Sequence, residues 1–224
     1  MTKLFKTVLT MVALVAGFAG TCKADPFYDP SGPQNNVSLS SVLAGGWSII
    51  YQGGYGNFVG GGAFAGADQY LMLASMENGT GVLSLLAEAK TSDVLQVTGV
   101  NQTHLANGTY WYNNGSSMGF TPTSAISQNS ADTQNAPGFG YNGFDDGSQR
   151  LSWHGGSSNI NGGWRTGNTT FLNSEPTGWT RLILTSNGSA GSVPEPSTLA
   201  LLGLGGIGLA VNMIRRRRLQ KSAA

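Results

Sequence analysis

The sequence predicts an all-β protein: a β-sandwich or jelly-roll-like exported domain, with an N-terminal signal helix before it and a single C-terminal transmembrane helix after it. Three observations carry that expectation. Short aliphatic and aromatic runs recur along the chain, several alternating with period two. Asn-Gly dipeptides at 78–79, 107–108 and 114–115 punctuate them and supply the positive φ angles that tight turns between twisted strands require. Finally, 34 glycines with only 10% charged residues suit an extracellular β domain with long surface loops, and five tryptophans separate that composition from low-complexity disorder.

Residues 1–24 carry Lys3 and Lys6, an apolar run over 8–19, and Cys22-Lys23-Ala24 with small residues at the two positions a signal peptidase reads. This is the pattern of a secretory signal peptide cleaved after Ala24, so signal peptidase and the secretion machinery are expected partners. Cys22 is the sole cysteine and leaves with that segment. The exported part therefore has neither thiol nor disulfide.

Residues 25–36 are proline-rich and read as an extended leader. Residues 46–52 form the first expected strand, followed by a glycine-rich loop over 53–66. Residues 69–76 and 82–89 flank Glu77-Asn78-Gly79-Thr80-Gly81 as a hairpin. Leucine and alanine in its second arm would also suit a helix, but glycines crowd its start and Thr91-Ser92-Asp93 its end. Residues 93–100 alternate and read as a strand. Thr103-His104-Leu105-Ala106 and Thr109-Tyr110-Trp111-Tyr112 flank Asn107-Gly108, Asn113-Asn114-Gly115 turns into a short strand at 118–120, and 121–148 is a long polar loop of the kind that is functional or disordered. Strands at 150–154, 163–165 and 179–184 close the domain. Many short strands between glycine-rich turns mean a sandwich or barrel, with jelly-roll and lectin-like arrangements both open.

After residue 192, Val193-Pro194-Glu195-Pro196-Ser197 lead into an apolar stretch over 198–214, interrupted by Asn212, and then into Arg215, Arg216, Arg217 and Arg218. A helix over 198–214 would rise about 26 Å, within the range that spans a bilayer. The arginines act as a stop-transfer element and hold the residues before Val193 on the far side of the membrane. Proline lacks an N–H and disfavours helix in the residue before it, so 193–197 should stay extended and open to a membrane protease.

The exported residues 25–192 hold Lys90, Arg150, Arg165 and Arg181 against ten carboxylates, a net charge of −6. Four scattered cations make no stripe for phosphates, so nucleic-acid binding is excluded. His104 and His154 are the only histidines and lack zinc-site spacing. Asp145-Asp146-Gly147 lacks the alternating ladder of a calcium loop, and no Gly-x-Ser-x-Gly elbow occurs. Glu77, Glu88, Asp145, Asp146 and Glu175 could supply the acid and base of glycoside hydrolysis, but nothing in the sequence pairs them. The chain is accordingly read as a non-enzyme with no catalytic residue, metal ligand or cofactor.

Tryptophans pack cores and also stack on sugar rings. Trp47 and Trp179 are expected to be buried. Trp111 and Tyr112 are the candidates for stacking on a ligand, because alternation along 110–112 turns one or the other outward. The threonines fall at irregular spacings and build no flat ice-binding array.

The residues from Val193 to Arg218 resemble the PEP-CTERM sorting signal of Gram-negative bacteria, in which a Val-Pro-Glu-Pro core precedes a hydrophobic helix and a basic terminus. The resemblance implies an exosortase-type membrane protease-transpeptidase as partner and a processing motif at Val193, Pro194, Glu195, Pro196 and Ser197. It also implies an inner-membrane intermediate followed by the cell surface or extracellular space. Carriers of the signal are typically exported proteins of organisms that make extracellular polysaccharide, which becomes a candidate ligand. Some ice-binding proteins carry the same tail, a shared label that implies no ice binding here.

A second resemblance covers the exported domain through Gly45-Gly46-Trp47, residues 71–74, 103–112, 151–154 and 162–167, Leu172-Asn173-Ser174 and Arg181. These are similar to an uncharacterised bacterial surface domain, whose members often place cysteines at the positions of Ile50, Ser75, Ser152 and Thr166. No activity attaches to it. The expected role is a binding or structural component of the surface or matrix, with carbohydrate binding as the alternative and a secreted hydrolase third.

Overall fold

The computed structural model describes residues 27–57, 62–131, 147–156, 159–172 and 178–189. The chain divides into a unit spanning Asp25–Gly191 and a second drawn from its two ends, Met1–Ala24 and Ser192–Ala224. The expected signal segment and the C-terminal helix lie outside the described residues. Among the described residues, no helix is long and apolar enough to cross a membrane.

The domain opens with β1 (Gln34–Ser38), a one-and-a-half-turn helix α1 (Leu39–Ala44) and β2 (Ser48–Gly54). The hairpin β3 (Tyr70–Glu77) and β4 (Val82–Lys90) follows, then a helical turn α2 (Thr91–Val94). Next come β5 (His104–Ala106), β6 (Thr109–Asn113), β7 (Ser117–Thr121), a 3-10 turn (Gly147–Gln149), β8 (Leu151–Gly156), β9 (Asn159–Thr166) and β10 (Trp179–Ser186). They build two five-stranded antiparallel sheets, one ordered β1-β4-β3-β10-β2 and the other β5-β6-β7-β8-β9.

The all-β expectation holds. One apolar core joins the two inner faces, with Leu71, Leu73, Leu85 and Ile183 from the first sheet and Trp111, Phe120, Leu151 and Trp153 from the second. That makes the domain a sandwich. Its second sheet is a plain meander, in which each strand pairs with the next, rather than the double Greek key of a jelly roll. The outer face of the first sheet is apolar too: Met72, Ala74, Leu86, Leu182 and Leu184 are covered by Val42 of α1, Trp47, Phe27 and Tyr28.

Local turn chemistry explains the hairpins. Asn107 and Gly108 both take positive φ (46° and 69°), as a two-residue loop between twisted strands demands. In the β3–β4 turn the positive angles fall on Gly79 (83°) and Gly81 (66°) instead.

Two segments depart from the sequence expectation. Residues 93–100 form no strand: the amide of Leu95 donates to the carbonyl of Thr91 at 3.1 Å, and Val94 turns into the core. Val97 and Val100 are left 67% and 72% exposed, so neither is buried against a sheet. β1, which begins within the predicted leader, and α1, which follows it, arise because Val37, Leu39 and Val42 cover the outer apolar face of the first sheet.

Candidate functional site

Neither stacking candidate faces solvent. Trp111 is wholly buried between the sheets, edge-on to Phe120 at 5.4 Å, with its Nε1 donating to the carbonyl of Ala106 at 3.2 Å. Tyr112 does point to the outer face, as alternation requires, but 1% of it is exposed. Its ring runs over Gly119, where a Cβ would stand 2.9 Å from the Tyr112 hydroxyl. That hydroxyl donates to the carbonyl of Leu151 and accepts from the amide of Ala131, both at 3.2 Å. The correction has a physical cause: residues 122–131 fold back over the second sheet, and Ile126 and Ala131 close on Tyr112. Among the other tryptophans, Trp47 is buried as expected and donates to the carbonyl of Tyr28 at 2.7 Å. Trp179 is only half-buried against the core.

Another aromatic group lies at the far edge of that sheet. The ring of Trp164 on β9 stacks on His154 of β8 (6.0 Å, 28°) and meets Phe171 at 4.5 Å. Trp164 and His154 are partly exposed, and Phe171 is 39% exposed at a φ of 61°. Among the described residues β9 has a sheet neighbour only in β8, so Trp164 sits on an edge strand with His154 on the strand beside it. A signal for it was present in Leu151-Ser152-Trp153-His154 and Gly163-Trp164-Arg165, but the bulges between Ser152 and Trp153 and between His154 and Gly155 shift the register. Counting by twos therefore misplaces the faces.

The buried cations tie loops to sheets. Arg150 donates to the carbonyl of Ala125 at 2.9 Å. Arg165 reaches the carbonyls of Gly167 (2.6 Å), Ala131 and Gly147 (both 3.1 Å). Arg181 donates to those of Asn57 (2.7 Å) and Gly54 (3.0 Å) and lies over the rings of Tyr51 and Tyr55, 5.9 Å from each centroid. Burial lowers its pKa. Between the sheets, Trp153 Nε1 donates to the Tyr55 hydroxyl (3.3 Å), which bonds Thr166 Oγ1 (2.9 Å), and Thr166 bonds Ser75. Trp153, Arg165, Thr166 and Arg181, four of the residues behind the second resemblance, belong to these structural ties.

The two histidines cannot share a metal, because His104 on β5 and His154 on β8 are separated by β6 and β7, and neighbouring strands lie about 4.8 Å apart. Among the described residues no group of three His, Cys, Asp or Glu side chains could hold a metal ion. Of the five candidate carboxylates, Asp145, Asp146 and Glu175 lie outside the described residues. Glu77 is exposed at the end of β3.

Glu88 is different. It is 1% exposed on the outer face of β4, where β1 no longer covers that strand. Asn107 Nδ2 donates to its Oε1, to its backbone carbonyl (3.2 Å) and to the carbonyl of Pro30 (2.9 Å). Glu88 Oε2 is buried with no hydrogen-bond partner. Burial first, and the adjoining Asp29 carboxyl second, push Glu88 up to about 9, so it is protonated at neutral pH.

The sorting residues Val193, Pro194, Glu195, Pro196 and Ser197, the cleavage residue Ala24, and Arg215, Arg216, Arg217 and Arg218 lie outside the described residues. No curated protein and no solved structure matches the chain. A family model does match its end: residues 192–218 fit the PEP-CTERM protein-sorting motif. The chain thus carries a PEP-CTERM sorting motif, which marks it as an exported protein sorted through exosortase.

Proposed function

We propose that the exported domain works at the cell surface or in the extracellular matrix as a binding or structural component, without catalytic turnover. Its tail would hold an inner-membrane intermediate until exosortase acts between Val193 and Ser197. The observation that carries a binding role is the partly exposed trio of His154, Trp164 and Phe171 at the β8–β9 edge of the second sheet.

The same trio favours polysaccharide as the ligand, since a sugar ring presents C–H faces to an indole and a phenyl ring set at an angle. A hydrolase reading finds less support. Glu88 and Asp29 adjoin one another, rather than flanking a bond as separate acid and base. Affinity electrophoresis in gels cast with the producer's own extracellular polysaccharide tests the proposal. The native protein should be retarded. Trp164→Ala should weaken retardation about tenfold, as the loss of one stacked ring implies, with thermal unfolding unchanged. Equal mobility of both proteins with and without polymer would overturn the glycan reading.

A further inference from the structure

We propose that the cavity between the leader, β4 and α2 binds a primary ammonium group, free or carried on an amino sugar, with Glu88 as its principal anion. The site is separate from the aromatic trio and goes beyond the surface-binding reading. Its volume is about 260 Å³, and five segments of the chain converge on it: Asp29 from the leader, Tyr70 from β3, Glu88 and Lys90 from β4, Asp93 from α2 and Asn107 from the β5–β6 turn. Three carboxyl groups therefore line one small space with a single cation, Lys90, whose side chain is exposed.

The chemistry of the lining selects the ligand. Asn107 satisfies Glu88 Oε1, while Oε2 meets no donor. A buried acceptor left without a donor costs about 1–3 kcal/mol, more when charged, so a donor that also brings positive charge gains most there. An alkylammonium supplies three N–H donors and one charge, enough to serve Glu88 Oε2 and the carboxylates of Asp29 or Asp93 together. A divalent cation fits poorly, because the described carboxylates make no cluster of three with metal-ligating spacing. A neutral hydroxyl would leave the excess of negative charge in place.

The cavity is also built rather than incidental. The Asn107 side chain ties leader, β4 and turn to one another, and the Gly32 amide donates to the Asn107 carbonyl at 2.8 Å. At Gly108 a Cβ would stand 2.6 Å from Ser31 Oγ, so leader and turn pack as closely as glycine allows. The groups facing Glu88 are Asp29, Tyr70, Lys90, Asp93 and Asn107, together with Tyr28, whose hydroxyl is raised by burial first and by the Glu88 charge second. An ammonium displaces the proton that Glu88 otherwise holds, so binding near pH 7 releases up to one proton.

The experiment is calorimetric titration of the full chain in detergent with glucosamine, N-acetylglucosamine, methylammonium and calcium, in two buffers that differ in ionisation enthalpy. Glucosamine should bind saturably with millimolar or tighter affinity and release a proton, and N-acetylglucosamine should bind at least tenfold more weakly. Saturation by methylammonium as well assigns the site to free amines; saturation by glucosamine alone assigns it to an amino sugar. Glu88→Gln should lose at least tenfold in affinity and all proton release while still unfolding cooperatively, and Asp93→Asn should weaken binding without abolishing the proton release. The proposal is overturned if no amine saturates the protein, if N-acetylglucosamine or calcium binds as tightly as glucosamine, or if Glu88→Gln binds as the native protein does.

Discussion

The carboxyl of Glu88 makes the stability of this domain depend on pH in the direction opposite to that of most acidic residues. Folding raises its pKa from 4.5 to about 9. Between those values the folded state holds a proton that the unfolded chain has released, so stability is full below about pH 4.5 and falls as pH rises towards 9. The limiting slope is about 1.4 kcal/mol per pH unit, or about 4 kcal/mol between pH 5 and pH 8. Solvent reaching the carboxyl through the cavity screens part of this, and about 2 kcal/mol is the expected loss.

Glu88→Gln removes the titration while keeping an oxygen that can accept from Asn107 Nδ2. The variant should match the native protein at pH 5 and exceed it by about 2 kcal/mol at pH 8. Urea unfolding followed by tryptophan fluorescence at pH 5, 6, 7 and 8 measures both slopes. Parallel slopes for the two proteins, or a native protein that gains stability from pH 5 to pH 8, would refute the reasoning.

Two further outcomes are expected. Gly163→Ala places a Cβ 2.0 Å from Tyr55 Cδ1, on a ring locked by its bonds to Trp153 and Thr166, so the variant should lose about 1–3 kcal/mol of stability in the same urea assay. In a strain with its exosortase intact, intact-mass analysis should show a mature protein that lacks the residues following 193–197, and a product still ending at Ala224 would argue for a plain membrane anchor.

The fold class was legible because its signals are local. Asn107-Gly108 and the glycines of 79 and 81 fix their turns whatever surrounds them, and the strands on either side are found where period-two runs place them. What stayed hidden depends on distant parts of the chain. Tyr112 faces outward as its neighbours imply, yet its exposure is decided by Ile126 and Ala131. Val94 is drawn into the core while Val97 and Val100 stay exposed, and the segment coils instead of pairing. Glu88 could not be singled out from other carboxylates, since its character comes from a leader residue, a turn asparagine and the shortness of β1. The sorting tail was legible throughout, because a protease reads it as sequence.

The place of β10 has a consequence for timing. β2 is bonded to β10 alone, with Tyr51 opposite Ile183, and β10 also bridges to β3. A chain emerging from its N-terminus can form the β3–β4 hairpin and the whole meander early, but β2 waits without a neighbour until the final strand arrives. Long-range pairing of this kind is the slowest step to close and the one most open to pairing with a second chain. The sorting motif begins a handful of residues after β10 ends. If the tail is held until export is complete, as proposed above, the last strand would insert on a tethered chain, and later cleavage would release a domain whose β2 is already paired.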